Sequence, residues 1–289
     1  MFYVRIFVYM PTTYTHWRFG QECLETLPKK TREIVNNHRD IYDIGVHGPD
    51  IFFYDLLHDD VKSYGYTLHG FSGKEFFEHA IEVYKEYPDK EEMLAYILGF
   101  LSHYTFDSQS HGYVERKMEV SGITHNKVES EYDGYLMRKD GRAVNLVDRS
   151  ESLKPSREAA RIISRFYPFD EAVMYRVFRA HKSFISAMNC MSPFKFKVVT
   201  KLLDLTGKDG NRDIPVAFEE SEICRDSNLR MEKLQAKALE LYPTLYKSLM
   251  AAIRKQQKLS RYFDHDFGPW KNYQKIPVLS YEKELKYKV

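Results

Sequence analysis

The feature that most constrains the fold is a long run, residues 90–113, which reads KEEMLAYILGFLSHYTFDSQSHGY. Glu91 and Glu92 stand near its start, where acidic side chains interact favourably with the amino-terminal end of a helix. Residues 93–101 contain no charged side chain, and a helix that is apolar all round has to be buried on several sides. The run therefore predicts a central helix around which other elements pack.

Helical periodicity continues through the rest of the chain, and no alternation of strands with helices interrupts it. Apolar residues recur at helical spacing in further segments, which predicts helices over residues 73–87, 125–139, 170–188, 192–205 and 228–263. We expect an all-α, multihelical single domain over residues 1–289. Its parts would be a metal-site half at about 10–140, a helical scaffold at about 150–265 and an irregular tail at 266–289.

Charge and cysteine content bear on the class of protein. The chain carries 43 basic and 41 acidic residues, a net charge of +2, so composition gives no support for nucleic-acid binding. Cys23, Cys190 and Cys224 are widely spaced and form no CxxC motif, which predicts buried free thiols in a reducing compartment. No run is long enough to span a membrane, and the start, MFYVRIFVYM, is short for a signal peptide. A cytoplasmic location is therefore expected.

The long run also carries a polar stripe. His103, Asp107 and His111 follow one another at intervals of four residues. On an α-helix such residues form one slanted row, because each step of four turns by about 40°. Imidazole nitrogen and carboxylate oxygen are both good zinc ligands. The next predicted helix repeats the spacing with His125 and Glu129. Two facing helices with inward ligands can build a metal site, whereas a solvent-exposed polar face is the competing interpretation.

Three further candidates lie upstream of this run. Asp50 follows a Gly-Pro pair, where it would serve either as a metal ligand or as an ordinary helix N-cap. His69 is flanked by glycine in what reads as a loop, and His16 stands just before a predicted helix. Each of these positions is a weak signal by itself, and their order along the chain is what gives them weight.

Taken in order, these residues resemble the ligand series of the zinc-dependent phospholipase C family, to which single-strand nucleases are related. The resemblance runs from about residue 16 to residue 133 and is carried by THW, GPDIFF, LHG, LGFLSHYTFDSQSHG and THNKVE. It implies an all-helical domain that encloses a cluster of zinc ions. Carried over by position, a first zinc would be held by Asp50, His69, His103 and Asp107, and a second by His111, His125 and Glu129.

A third zinc is where the chain departs from the family pattern. His16 and Asp107 would contribute to it, with Asp107 bridging, but in the secreted phospholipases an N-terminal Trp completes the site through its amine and carbonyl. Here Trp17 follows His16, and no processing signal is visible. Two zinc ions are therefore expected, and the third is left open. Translation from Met10, followed by removal of that Met, would offer the Pro11 amine as a partner.

The resemblance implies in-line hydrolysis by hydroxide generated at zinc, with a phospholipid or another phosphodiester as the substrate. Asp50 is the candidate for orienting or deprotonating the attacking water. Two alternatives stay open, which are a single-strand nuclease-like phosphodiesterase and a non-catalytic, zinc-stabilised helical binding domain. A peripheral membrane contact fits the first interpretation. The near-neutral charge argues against a stable nucleic-acid partner.

Overall fold

A computed structural model describes residues 13–208 and 210–289 of the chain. Within these two ranges the regular elements are helices and no residue belongs to a β-strand, so the all-α prediction is confirmed. The α-helices are α1 (Thr13–Thr26), α2 (Lys29–Asn37), α3 (Arg39–Gly45), α4 (Asp59–His69), α5 (Gly73–Glu86), α6 (Lys90–Ser121), α7 (His125–Lys139), α8 (Arg157–Ile163), α9 (Glu171–Met188), α10 (Pro193–Asp204), α11 (Arg225–Ile253) and α12 (Tyr281–Glu284). Short 3₁₀ helices occupy Gly48–Tyr54, Val144–Leu146, Ser164–Phe166, Asn211–Asp213, Glu222–Cys224, Arg261–Asp264 and Tyr273–Lys275.

Helix α6 is the central element, as the apolar first half of its sequence predicts. Every residue from Met93 to Ser108 is buried. Among its neighbours are α1, α3, α5, α7 and α11. The helix ends at Gly122, whose left-handed backbone (φ 71°) and N–H bond to the Met118 carbonyl close the last turn. The central position of α6 places its polar stripe inside the molecule instead of on its surface.

Helix α3 crosses α6 at two glycines. A methyl group at Gly45 would overlap the backbone of α6, and one at Gly99 would overlap the Tyr42 carbonyl. Only side chains without a Cβ allow the two backbones to approach this closely. The close crossing carries the 3₁₀ helix Gly48–Tyr54, which follows α3 directly, against the polar stripe of α6.

The helix predicted over residues 228–263 was wrong at its far end, because α11 runs from Arg225 to Ile253. Lys255 takes a left-handed backbone conformation with φ 57°. Its N–H bonds to the Ala252 carbonyl and the next N–H, that of Gln256, bonds to the Ala251 carbonyl, which is the Schellman pattern of a helix end. A glycine usually occupies this position, so the sequence carries no obvious stop signal there.

Two other expectations can be compared with the structure. Cys23, Cys190 and Cys224 are all buried free thiols, as their spacing predicts. Of the helices in the described ranges, none is both long and apolar enough to cross a membrane. Met10 and Pro11, considered above as an alternative start, lie outside the described residues.

Candidate metal centre

The polar stripe of α6 is buried along its whole length. His103, Asp107 and His111 are each less than one-tenth exposed. The Asp107 Oδ2 atom lies 2.9 Å from His103 Nε2 and 3.9 Å from His111 Nε2. The carboxylate therefore stands between the two imidazoles. The competing interpretation, a solvent-exposed polar face, is wrong.

Helix α7 brings the second row of side chains to the first. Thr124 caps the helix by accepting a 3.1 Å hydrogen bond from the Lys127 N–H, which fixes His125 in the first turn. Glu129 lies one turn later, and its Oε1 atom is 2.8 Å from His125 Nε2 and 3.5 Å from His111 Nε2. His111, His125 and Glu129 therefore form a buried group whose ligand atoms all lie within 4.8 Å of one another.

Asp50 approaches the same stripe from the 3₁₀ helix Gly48–Tyr54. It lies inside the 3₁₀ helix Gly48–Tyr54, where His47 holds the capping position and makes no side-chain cap bond. The N-cap alternative for Asp50 was therefore wrong. Its Oδ1 atom is 2.9 Å from His69 Nε2, and its Oδ2 atom is 3.9 Å from His103 Nδ1. The carboxylate is buried among imidazoles instead of binding a helix terminus.

The two upstream histidines sit on helices, which corrects their predicted positions. His69 is the last residue of α4, and its Nδ1 lies 2.7 Å from the Gly65 carbonyl, which holds the ring with Nε2 toward Asp50. His16 lies within the first turns of α1, stacked on His103 with ring centroids 4.2 Å apart. Its Nε2 atom is 3.4 Å from Asp107 Oδ1 and 3.9 Å from Asp50 Oδ2.

The candidate ligand groups share members. His103 belongs both to a group with His16 and Asp50 and to a group with His69 and Asp107. The third group joins the others through Asp107, which lies beside His111. The eight residues of these three groups in the described part of the chain therefore form one contiguous cluster. We name it the metal cluster: His16, Asp50, His69, His103, Asp107, His111, His125 and Glu129.

Burial favours the neutral form of two histidines in the metal cluster. Desolvation lowers the pKa of His16 to about 3 and that of His69 to about 4. Both rings are therefore unprotonated at neutral pH. A neutral imidazole is the form that coordinates a metal ion.

The part of the metal cluster around His111 and Glu129 favours charged side chains. Burial alone would lower the pKa of His111, but the nearby carboxylates of Asp107 and Glu129 raise it to about 10. Burial would likewise raise the pKa of Glu129, whereas His125 and His111 lower it to about 2. The Asp107 and Glu129 carboxylates are ionised at neutral pH, so a bound cation would take over the role of the imidazole protons.

Several buried polar atoms of the metal cluster make no hydrogen bond within the described ranges: His16 Nδ1, both ring nitrogens of His103, and Glu129 Oε2. A buried polar atom without a partner costs about 1–3 kcal/mol. His103 Nε2 is close to Asp107 and yet poorly aligned for a hydrogen bond, as expected for two groups that face a shared ion. Imidazole nitrogen and carboxylate oxygen are ligands that zinc prefers. The residues present therefore fit zinc.

Groups outside the ligand series also shape the metal cluster. A methyl group at Gly48 would overlap the His103 ring, and this glycine has φ 50°, so only glycine fits there without strain. The Asp133 carboxylate accepts hydrogen bonds from the Thr15 N–H and hydroxyl (2.8 and 2.7 Å) and from the Tyr14 N–H (3.3 Å). These bonds anchor the start of α1 and thereby position His16.

The tail contributes to the metal cluster as well. His111 Nδ1 lies 2.6 Å from the Phe267 carbonyl, so Nδ1 carries a proton and Nε2 faces the carboxylates. The Phe267 ring is fully buried against His69, His103 and Tyr104. No motif in the sequence around Phe267 indicated this contact. The signal would have been an apolar residue within the otherwise polar DHDFG.

A family model described as zinc dependent phospholipase C matches residues 15–190, which is more than half of the 289-residue chain. The chain belongs to this family. The region that matches the zinc-dependent phospholipase C model contains the whole metal cluster, whereas Phe267 and α10 lie beyond it. No curated protein and no solved structure matched the chain. Membership of a zinc-dependent phospholipase C family and the chemistry of the buried side chains therefore both point to zinc.

Proposed function

We propose that the chain is a zinc-dependent phosphodiester hydrolase that cleaves phospholipids, with the metal cluster as its ligand set. The observation that carries this proposal is that three buried ligand groups lie side by side, two of them sharing His103 and the third adjoining them at Asp107. Burying so many titratable groups side by side is unfavourable unless cations compensate their charge. Structural stability alone gives no reason to collect them in this way.

The ligands would divide between two ions. Asp50, His69, His103 and Asp107 would hold the first, and His111, His125 and Glu129 would hold the second. The Asp107 carboxylate lies 2.9 Å from His103 of the first set and 3.9 Å from His111 of the second. His16 faces Asp107 and Asp50, so it is the ligand left for a third ion.

Bound zinc would supply a nucleophilic hydroxide at neutral pH and would offset the negative charge on a phosphoryl group. Asp50 would orient the attacking water or accept its proton, because its carboxylate reaches the cluster from the 3₁₀ helix. The Phe267 carbonyl and the Gly65 carbonyl would hold two imidazoles in the orientation that presents Nε2. The cluster lies in a well-packed interior, which limits the freedom of these side chains to turn away.

The first experiment measures hydrolysis of bis(p-nitrophenyl) phosphate by protein purified without chelator. We expect turnover that a chelator abolishes and that added zinc restores. The Asp50→Asn variant should lose most of its turnover while retaining part of its zinc. Asp55→Asn is a matched control, because that buried aspartate binds His58 and Arg176 outside the metal cluster. Zinc-loaded protein without any phosphodiesterase activity would favour the non-catalytic binding domain.

A second experiment separates the phospholipase from the nuclease interpretation. Hydrolysis of a short-chain phosphatidylcholine is compared with that of single-stranded DNA and RNA under the same conditions. We expect the lipid to be the better substrate, since a net charge of +2 provides little attraction for a polyanion. A clear preference for single-stranded nucleic acid would overturn the assignment of the substrate.

A further inference from the structure

Helix α10 carries a row of large apolar side chains that face solvent. Phe194 is 78% exposed, Leu202 is 60% exposed and Leu205, just past the helix, is 75% exposed. No residue of α10 is buried. Monomeric proteins rarely expose a contiguous group of this kind without a use for it.

The apolar residues of α10 form two separate faces. At about 100° per residue, Phe194, Val198, Leu202 and Leu205 fall within an arc of about 80°. A second set on the far side faces the protein, where Phe196 contacts Phe218 and Leu203 packs beside a small buried cluster. The inner set explains how the helix is attached. The outer set, here named the outer face, has no such explanation.

Lysines border the outer face on both sides. On the helical wheel Lys201 and Lys197 precede Phe194, and Lys195 follows Leu202. Lys197 and Lys201 are exposed and form no ion pair within the described ranges, whereas Lys195 binds the Asn189 carbonyl. An apolar arc between lysines is the arrangement of a helix that lies in the plane of a membrane surface, because the ammonium groups reach the lipid headgroups.

The segment after α10 connects the outer face to the metal cluster. The Thr124 hydroxyl donates to Asp213 (2.7 Å), and the Asn126 amide donates to the Gly210 carbonyl (3.1 Å). Both donors lie at the start of α7, the helix that carries His125 and Glu129. A second exposed apolar pair, Leu56 and Leu57, begins two residues after the end of the 3₁₀ helix that carries Asp50.

We propose that the outer face of α10 is a docking surface for an anionic lipid membrane. The flanking lysines complement anionic headgroups, whereas a symmetric dimer through the same face would bring the lysines of two copies together. Helix α10 has 12 residues, which suits a helix lying in the surface and is too short for a spanning one. This inference rests on the proposed function, since a phospholipid substrate is presented by a membrane.

The test is co-sedimentation with vesicles of phosphatidylcholine, with and without phosphatidylserine. We expect the protein to bind vesicles that contain phosphatidylserine and to be released by high salt. The double variant Phe194→Ser with Leu202→Ser should bind at least about tenfold more weakly, because two apolar side chains no longer enter the interface. Lys197→Glu with Lys201→Glu should abolish the preference for anionic vesicles.

The matched control is Leu146→Ser with Ile223→Ser, which removes two exposed apolar side chains elsewhere (72% and 47% exposed). This control should bind vesicles like the wild type. Wild-type protein that fails to bind, or a Phe194→Ser, Leu202→Ser variant that binds like the control, would overturn the docking surface. A wild-type dimer that this variant converts to monomer in light scattering would also overturn it, in favour of a second copy.

Turnover of bis(p-nitrophenyl) phosphate separates the failure of this inference from the failure of the proposed function. That substrate is soluble, so the outer-face variants should hydrolyse it at the wild-type rate. Normal turnover without vesicle binding would contradict the docking surface alone. Vesicle binding that depends on the outer face, in a protein without turnover, would contradict the proposed activity alone.

Discussion

Two regions of very different regularity meet at the metal cluster. Helices α6 and α7 supply their side chains at intervals of four residues, and each carboxylate lies within one helical turn of an imidazole. The tail segment before Gly268 has no periodicity, and yet its Phe267 carbonyl holds His111 and its Phe267 ring packs on His103. The helical rows provide five of the eight candidate ligands, and the tail orients one of them, His111.

The difference between these two regions shows which contacts a regular sequence pattern can predict. Spacing along one helix predicts which side chains share a face, because the geometry of the helix is known in advance. The contact between Phe267 and His111 joins residues 156 positions apart, and it depends on how the whole chain packs. Groups of the first kind can be predicted from a sequence, whereas groups of the second kind require the structure.

The largest expected effect is removal of a ligand from the helical rows. His111→Ala should lower phosphodiester turnover by more than about a thousandfold, which corresponds to about 4 kcal/mol, because the second zinc that we propose would lose one of its three side-chain ligands. Zinc content by elemental analysis should fall as well. His38→Ala is the control, since this histidine lies near Glu91, away from the metal cluster. Unchanged zinc content in His111→Ala and Glu129→Ala would contradict the assignment of these two residues as zinc ligands.

The tail provides the matching test in the irregular region. Phe267→Ala should lower the free energy of unfolding by about 4 kcal/mol, because it leaves a cavity where a fully buried ring packs. It should also weaken zinc binding by about tenfold, since the carbonyl that orients His111 is no longer held in place. Urea denaturation and zinc competition measure the two effects. Leu285→Ala, at an exposed tail position, should change neither. If Phe267→Ala binds zinc as tightly as the wild type, then the tail packs over the metal cluster but does not orient His111.

Gly48 tests the junction between Asp50 and α6. Gly48→Ala should cost about 3 kcal/mol of stability and reduce zinc content, because the new methyl group overlaps the His103 ring and the backbone has φ 50°. Gly141→Ala is the matched control, with φ 70° and no atom within 4 Å of the added carbon. It should cost about 1 kcal/mol and leave zinc content unchanged. Equal losses in both variants would mean that backbone strain, and not contact with His103, sets the requirement for glycine.

The smallest expected effect separates a structural histidine from the ligands. His181 is buried against Tyr54, with ring centroids 4.1 Å apart, and desolvation lowers its pKa from 6.5 to about 3. A lowered folded-state pKa contributes stability that is present above pH 6.5 and is lost as the pH falls toward 3. Between pH 7 and pH 5 the loss is about 2 kcal/mol, and His181→Phe should not show it.

Urea denaturation of both proteins at the two pH values measures that difference. His38→Phe serves as the control for replacing a partly exposed histidine and should retain the wild-type pH dependence. If His181→Phe loses as much stability on acidification as the wild type, then burial of this ring is not what makes the fold acid-sensitive.

Much of the fold could be predicted because it depends on local sequence patterns such as apolar runs and helical spacing. The apolar run of residues 93–101 predicted the central helix, and the spacing of His103, Asp107 and His111 predicted their shared face. The end of α11 could not be predicted, because Lys255 occupies a position where a glycine is the usual signal.

The candidate site was predictable to a similar degree. Its candidate ligands could be identified from the sequence, but the residues that hold those ligands in position could not. The order of His and acidic residues along the chain indicated which side chains gather, and the structure brings all of them together. The local pattern at Asp50 did not decide between a ligand and a helix N-cap, since a Gly-Pro-Asp turn suits either role, and only the family resemblance placed this residue among the ligands. The contributions of Gly48 and Phe267 depend on packing between distant segments.

The most direct test of the central claim is the zinc content of each chain after purification without chelator, measured by elemental analysis. In the account proposed here the metal cluster would hold two ions, with His16 left for a third, so we predict two or three zinc ions per chain. Protein that is folded and contains no zinc, and that takes up none when zinc is added, would contradict a zinc-dependent hydrolase.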